Sequence, residues 1–354
     1  MSELIDRLLK TPTEWLRASG PESDVVVSSR IRLARNLSGF PFHSKLNREQ
    51  QEEIIDLMED AVHRTPALKD VLFVRYQDLT ELDKQFLLER HLISREHALD
   101  QGNKAVAISP NEVVSLMILE EDHLRIQVIQ SGLSITEAWR IMSEIINELE
   151  QSLSFSFHAN LGYLTACPTN VGTGLRASCM LHLPSLVLTK QLNKVLQALV
   201  KLNLTTRGFY GEGTQSSGNF FQISNQITLG QKEEEIIESL ERVIHQMISH
   251  EKEARQHLVE KRRAKFEDQI WRGLGILKSA RVISSEEAVQ HLSMVRLGLD
   301  LKLITHLTYQ DLNRLFLLIQ PAHLQKKDGR ALGAGERDVR RAEEIRENLK
   351  NISW

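Results

Sequence analysis

The sequence predicts an α+β fold, an antiparallel sheet flanked by helices and followed by an all-helical C-terminal domain, and three observations lead there. Short apolar runs come in pairs joined by tight turns, which suits antiparallel pairing better than the long crossovers of a doubly wound sheet. Helical periodicities are interspersed among these runs, and beyond Gly230 only helical periodicity remains. At 354 residues the chain can bury a real core and divide into two domains.

Val25 to Arg35 reads as a strand that places Arg30 and Arg32 on one face. Two guanidiniums side by side repel unless an anion lies between them, although arginines on the wet face of an edge strand are a plainer explanation. Asn47 to Arg64 carries Ile54, Ile55, Leu57, Met58, Ala61 and Val62 at helical spacing, with Pro66 ending it. Val71 to Val74, Ala105 to Ile108, Val113 to Leu119 and His123 to Ile129 read as strands, with a turn at Pro110-Asn111 and an acidic turn at Glu120 to Asp122. Thr136 to Leu149 and Leu186 to Leu202 read as helices, and Leu161 to Ala166 as a buried strand that delivers the next loop to the sheet's end.

Further on, Ile236, Ile237, Leu240, Val243, Ile244, Met247 and Ile248 form one apolar helical stripe. Glu251 to Lys265 is densely charged, with Lys261, Arg262, Arg263 and Lys265 clustered, and reads as a solvated helix face rather than a nucleic-acid site. This stretch is expected to join a catalytic domain, residues 1–255, to a helical C-terminal domain, residues 256–354. Ser284 to Glu287 reads as a capping box, Thr308 to Ile319 as a helix stopped by Pro321, and the Gly-rich stretch Gly329 to Gly335 as a linker before a charged helical turn.

Composition narrows the function classes. Lys+Arg 44 against Asp+Glu 47 gives a net charge of -3, so no global basic field draws the chain to nucleic acid. No apolar stretch is long enough to span a bilayer and no targeting signal opens the chain, so a cytoplasmic protein is expected. Cys167 and Cys179 are too few for a disulfide framework, and there is no CxxC pair to hold zinc.

The most informative stretch is Cys167-Pro-Thr-Asn-Val-Gly-Thr-Gly-Leu-Arg176, which combines a thiol, a proline-fixed turn, an arginine and two glycines that let backbone approach a ligand closely. Gly172 to Ala177 also fits the dinucleotide pattern G-x-G-x-x-A. The acidic residue that should follow about twenty positions on is missing, so a nicotinamide site is rejected.

Together with Ser28, Arg30 and Arg32 as S-x-R-x-R and Glu120, Glu121, Asp122, His123 and Arg125 as E-E-D-H-x-R, this loop closely resembles the phosphagen (guanidino) kinases. Thr206-Arg-Gly208 and Tyr210 to Gln215 resemble that family's R-G loop and Gly-rich loop, Ile223-Ser-Asn225 its V-S-N signature, and His91 its nucleotide-side histidine. The resemblance implies a curved antiparallel sheet flanked by helices. Only about two dozen residues precede the S-x-R-x-R strand, too few for the family's N-terminal helical domain, and a helical extension follows instead. That arrangement resembles the bacterial protein arginine kinases.

The resemblance implies ATP and Mg²⁺ as cofactors, with no protein ligands assigned to the metal. Arg30, Arg32, Arg125, Arg176 and Arg207 would surround the phosphates, since phosphoryl transfer is mainly positioning and charge stabilisation. Ser28, Ser29, Ile31, His91, Ala177, Ser178, Gly208, Gly211 and Glu212 complete the implied nucleotide site. A guanidinium acceptor has no free lone pair, so a carboxylate must orient it and take its proton. Glu121 is the candidate base, Glu212 the second clamp, and Cys167 a thiol that orients the guanidinium or else a small residue in a tight turn. Arg337, Asp338, Arg341 and Ala342 match an R-D-x-x-R-A motif that the resemblance links to phosphoarginine binding and allosteric control; by themselves they read as a solvated helix.

The function expected is ATP-dependent phosphorylation of arginine in proteins. A kinase for free arginine or another small guanidine is the alternative, and an inactive adaptor the second. The implied context is stress response, with a heat-shock repressor, a zinc-binding activator and Clp protease as partners, and with room for a homodimer.

Overall fold

The computed structural model describes residues 3–10, 13–208 and 217–350. In chain order the elements are α1 (Glu3–Lys10), β1 (Val26–Arg35), α2 (Arg48–Arg64), β2 (Leu72–Arg75), α3 (Glu81–Glu89), α4 (Arg95–Leu99), β3 (Ala105–Ile108), β4 (Val114–Ile118), β5 (Leu124–Ser131) and α5 (Ile135–Leu149). There follow β6 (Phe157–His158), β7 (Gly162–Tyr163), β8 (Leu175–His182), α6 (Pro184–Leu188), α7 (Leu192–Lys201), β9 (Leu204–Gly208) and β10 (Phe220–Asn225). Five helices complete the chain: α8 (Glu233–Ser279), α9 (Ser285–Asp300), α10 (Tyr309–Leu318), α11 (Pro321–Asp328) and α12 (Ala334–Leu349).

Eight strands make one sheet in the order β2-β3-β4-β5-β1-β8-β10-β9, every neighbouring pair antiparallel. The S-x-R-x-R strand is thus not an edge but the centre, paired with β5 and β8. Its alternation explains this: Ile31 and Leu33 are fully buried and pack with Ile126, Val128, Ala177, Leu181 and Ile223 of neighbouring strands. Each such side chain contributes about 1.5–3 kcal/mol of burial. Helices α2 and α5 and the first half of α8 cover this apolar face.

Helix starts follow the sequence chemistry. Asn47 caps α2 reciprocally with Gln50, Thr80 caps α3 with Asp83, Ser284 accepts from the Glu287 N–H at α9, and Thr308 caps α10 with Asp311. Pro321 occupies the first turn of α11, where its missing N–H is no loss.

Three expectations change. Leu161 to Ala166 contributes only the two-residue β7, which pairs with β6 in a separate hairpin outside the main sheet. The expected helix Leu186 to Leu202 is two helices, because Lys190 takes a left-handed conformation (φ 61°) between α6 and α7. The charged stretch Glu251 to Lys265 is helical as expected but only partly solvated, and α8 runs through it unbroken for 47 residues, about 70 Å at 1.5 Å per residue. Lys261, Arg263 and Lys265 are exposed, while Glu251, Ala254, Arg255 and Leu258 are buried.

The second half of α8 joins a different core, with Phe266, Ile270, Leu274 and Leu277 against α9, α10 and α12. At the crossover Arg255 reaches Asp24 (3.1 Å), Glu251 (3.2 Å) and Asp300 (3.0 Å), and the fully buried Arg296 donates to Asn313 Oδ1 (2.6 Å) and the Ser23 carbonyl (2.7 Å). Burial lifts the Asp300 carboxyl to about 6 even against the pull of Arg255 and Arg296. Arg255→Ala would leave Glu251 and Asp300 buried without their cation, and should lower stability by about 3–5 kcal/mol in urea unfolding; a loss under about 1 kcal/mol would mean the knot is solvated.

Candidate active site

The second face of the sheet is cationic. Residues directly opposite in an antiparallel pair share a face. Register therefore sets Arg30 beside Ser178, Arg32 between Arg176 and Gln127, and Arg125 opposite Ala34. Arg207 lies across from Gln222, which lies across from Met180, itself opposite Ser28. Five arginines on five different positions of four strands thus project from one surface. Apolar clusters close it at both ends: Trp15, Ile129, Met180 and Phe220 join the C-terminal helices on one side, and Met117 joins α3 and α4 on the other.

The arginines are poorly neutralised. Among the described residues Arg125 alone of the five has a carboxylate in contact, donating through one nitrogen to both oxygens of Glu120 (2.7 and 2.9 Å). Arg30 donates to the amide oxygens of Gln222 (2.7 Å) and Gln127 (3.4 Å), and burial with Arg125 and Arg207 nearby lowers its guanidinium to about 10. Burial, then Arg30, Arg125 and Arg176, depress Arg32 further, and its buried Nε has no hydrogen-bond partner among the described residues. Such a surface calls for a polyanion, and phosphate oxygens fit the orphaned donor.

The acidic turn between β4 and β5 sorts its side chains by role. Glu120 is buried, and although burial alone would raise its carboxyl, Arg125, the Ser94 hydroxyl (2.6 Å) and the Glu121 N–H hold it near about 2. Asp122 is buried and accepts from Asn36 Nδ2 (2.6 Å) and the Ala166 N–H (2.6 Å). His123 accepts at Nδ1 from the Leu37 N–H (3.0 Å) and meets the Pro41 carbonyl at Nε2 (2.9 Å). Glu121 is exposed, with its carboxyl raised by partial burial, Asp122 and Glu120. The first and third carboxylates hold the turn; the second is presented outward.

The Asp122–Ala166 bond ties this turn to the cysteine loop. Cys167 Sγ lies 3.0 Å from the Thr169 hydroxyl, and Arg176 nearby is lowered by burial, Arg207 and Arg125, with Glu121 opposing that shift. Thr228 braces the loop from behind through the carbonyls of Thr169 (3.0 Å) and Val171 (2.7 Å). The loop glycines serve protein packing here, which corrects their expected role as ligand clearance. A Cβ on Gly172 (φ +113°) would lie 2.3 Å from the Thr228 carbonyl, and one on Gly174 2.7 Å from that of Ala34. Arg35, the third arginine of β1, is also structural, bonding the carbonyls of Ala34 and Thr173 with its guanidinium 3.4 Å over the Tyr163 ring.

Not every expected nucleotide residue faces the arginines. Ser29, Ile31 and Ala177 point their side chains into the apolar core; the Ser29 hydroxyl donates to the Gly132 carbonyl (2.8 Å) and lies 3.5 Å from the buried Cys179. Ser28 and Ser178 do face them, in a cleft with Trp15, Arg30, His91 and Gln222. His91 is held near about 3 by burial and Arg30, so its ring is neutral. Gly208 ends β9, while Gly211 and Glu212 lie outside the described residues. Sequence reasoning did not find Gln127 or Gln222, which only strand register brings to the site, nor Trp15, which a short helical turn ahead of β1 places in the cleft. Remote from it, Arg341 is buried and bonds Asp338 and the carbonyls of Ile319 (2.9 Å) and Ile283 (3.0 Å). Arg337 donates to the Leu332 carbonyl (2.9 Å), and Ala342 is buried.

Among the described residues no cluster of His, Cys, Asp or Glu could hold a metal, and no helix is long and apolar enough to cross a membrane. Residues 53–254 match the family described as ATP:guanido phosphotransferase, C-terminal catalytic domain, and residues 263–354 the protein-arginine kinase McsB C-terminal domain. A protein-arginine kinase of Symbiobacterium thermophilum is 49% identical over 98% of this chain and 99% of its own length. One from Moorella thermoacetica is 48% identical over 96% of this chain and 98% of its own. The duplicated taurocyamine kinase of Schistosoma mansoni superposes with a TM-score of 0.60 at 27% identity over 69% of this chain, which spans 35% of that longer enzyme.

Gly172→Ala forces both an unfavourable φ and a backbone clash, so it should destabilise by about 1–3 kcal/mol and slow turnover by displacing Cys167. Thermal melts together with initial rates check this; wild-type values in both would show that the loop gives way freely.

Proposed function

The chain belongs to the ATP:guanido phosphotransferases, in their protein-arginine kinase branch, and from that premise we propose how its own residues divide the phosphorylation of arginine in proteins. One observation carries the assignment: Arg32 faces Arg176 across the sheet, flanked by Arg30, with a buried Nε that lacks a partner among the described residues. The surface is a receptor for the phosphates of ATP, with Arg30, Arg32, Arg125, Arg176 and Arg207 gripping their oxygens. Mg²⁺ arriving with the nucleotide would add charge neutralisation between phosphates. Ser28, Ser178 and His91 line the neighbouring part of the nucleotide site.

Glu121 takes the acceptor. Its carboxylate orients the substrate guanidinium and removes a proton as the nitrogen bonds to the γ-phosphorus; the bond from phosphorus to the bridging oxygen breaks, and ADP leaves. Its exposed position suits a side chain still attached to a protein. Cys167, beside Arg176, orients the same guanidinium, and Glu212 supplies the second clamp. We assign residues 1–255 to catalysis and residues 256–354 to regulation, with Arg337 and Asp338 as a phosphoarginine receptor that Arg341 and Ala342 support from within. Stress response is the context that fits, with a heat-shock repressor and Clp substrates modified in the cytoplasm, a zinc-binding activator, and a homodimer.

Glu121→Gln keeps the shape and removes the proton acceptor, so transfer to an arginine-containing protein should fall by about 10² or more while ATP binding persists. In the native enzyme the rate should drop as pH falls through a Glu121 pKa above the ordinary carboxylate range, and the variant should lose that limb. Near-normal phosphorylation by the variant would remove Glu121 from the role. Arg337→Ala combined with Asp338→Ala should cost at least tenfold in affinity for a phosphoarginine peptide by calorimetry; unchanged affinity would leave an ordinary solvated helix turn.

A further inference from the structure

The nucleotide face is held from an unexpected direction. Glu89, the last residue of α3, accepts from the Ala322 N–H (2.7 Å) and, through its other oxygen, from the His323 N–H (3.0 Å) and ring Nδ1 (2.7 Å). It therefore caps the start of α11, a helix of the C-terminal region, with a carboxylate where the exposed N–H groups and the helix dipole favour one. The next residue, Arg90, is buried and bonded to Glu112 and to the Thr13 hydroxyl (2.7 Å). The one after that is His91, in a left-handed conformation (φ 60°).

That backbone conformation is costly for a non-glycine residue and persists only where its surroundings impose it. Here the imposition comes from both sides. The His91 carbonyl accepts from Gln127 Nε2 (2.7 Å), and the same Gln127 side chain accepts from Arg30 in the phosphate-binding row (3.4 Å). Polar contacts thus run from α11 to Glu89 and from the His91 carbonyl to Gln127 and Arg30, and the backbone from Glu89 through Arg90 to His91 joins the two sets.

We propose that Glu89 is a positioning residue for ATP: by clamping α11 it fixes the His91 turn and, through Gln127, the aim of Arg30. The C-terminal helices are then part of the nucleotide site. This inference rests on the assignment of the arginine face to ATP. It predicts that loosening this one carboxylate weakens nucleotide binding more than it slows chemistry.

Glu89→Gln presents an amide N–H₂ to donors that need an acceptor, so one bond to α11 is lost while volume is kept. In the full-length enzyme the Kd for ADP by calorimetry should rise at least fivefold, with kcat at saturating ATP falling less than twofold. Lys326→Ala is the control, because Lys326 bridges α11 to Asp83 at the opposite end of α3. It should lower the melting temperature and leave the Kd unchanged. An unaltered Kd in Glu89→Gln, or an equal rise in Lys326→Ala, overturns the proposal. Arg32→Ala tests the underlying reading on its own: if it leaves ADP binding intact, the face is not the nucleotide site, whatever Glu89→Gln does.

Discussion

Everything in the catalytic half answers to one constraint, the holding of five like charges on a single surface. Directly opposed guanidiniums such as Arg32 and Arg176 repel, and the sheet must supply the opposing free energy from elsewhere. It does so with the reverse side of the same strands, where Ile31, Leu33, Val128 and Ala177 are sealed under α2, α5 and α8. A central strand with alternating Arg and apolar residues is therefore a device for converting burial on one side into charge density on the other. Guanidiniums held this way on a packed sheet would make the proposed phosphate site preorganised rather than assembled on demand.

The carboxylates follow the same division. Glu120 and Asp122 are consumed by the fold, the first by Arg125 and Ser94, the second by Asn36 and Ala166, and Glu121 between them is left exposed, as the proposed base would need. Alternation along a tight turn achieves in three residues what would otherwise need three separate elements. The C-terminal region is bound in as closely: α8 belongs to both cores, and the Arg255 knot fastens α8 and α9 to the segment that enters β1.

Much of this was legible in the sequence. The paired strands, the capped helices and the family resemblance were read from local spacing, turn chemistry and motif, which short stretches of chain carry on their own. Strand order was not legible, and with it went the position of β1: nothing in Val25 to Arg35 distinguishes a central strand from an edge until its partners are known. Gln127 and Gln222 were silent for the same reason, since their relevance exists only in register with Arg32, Arg30 and Arg207. Ser29, Ile31 and Ala177 were assigned by motif, and the two-residue period of the strand turns them inward. Helix was expected on both sides of Glu251, but not the burial of Glu251 and Arg255, because two charged residues in a charged stretch give no sign of an inward face.

His123 shows what the acidic turn excludes. Its Nδ1 faces an N–H and its Nε2 faces a carbonyl, so only one tautomer satisfies both, and burial further opposes a second proton on the ring. An imidazole two residues from the proposed base would ordinarily be the first suspect for a proton relay. Locked in this way it is an insulator: with Glu121 as the proposed base, a proton taken from arginine would not pass to this ring and would leave toward the solvent that the exposed carboxylate faces.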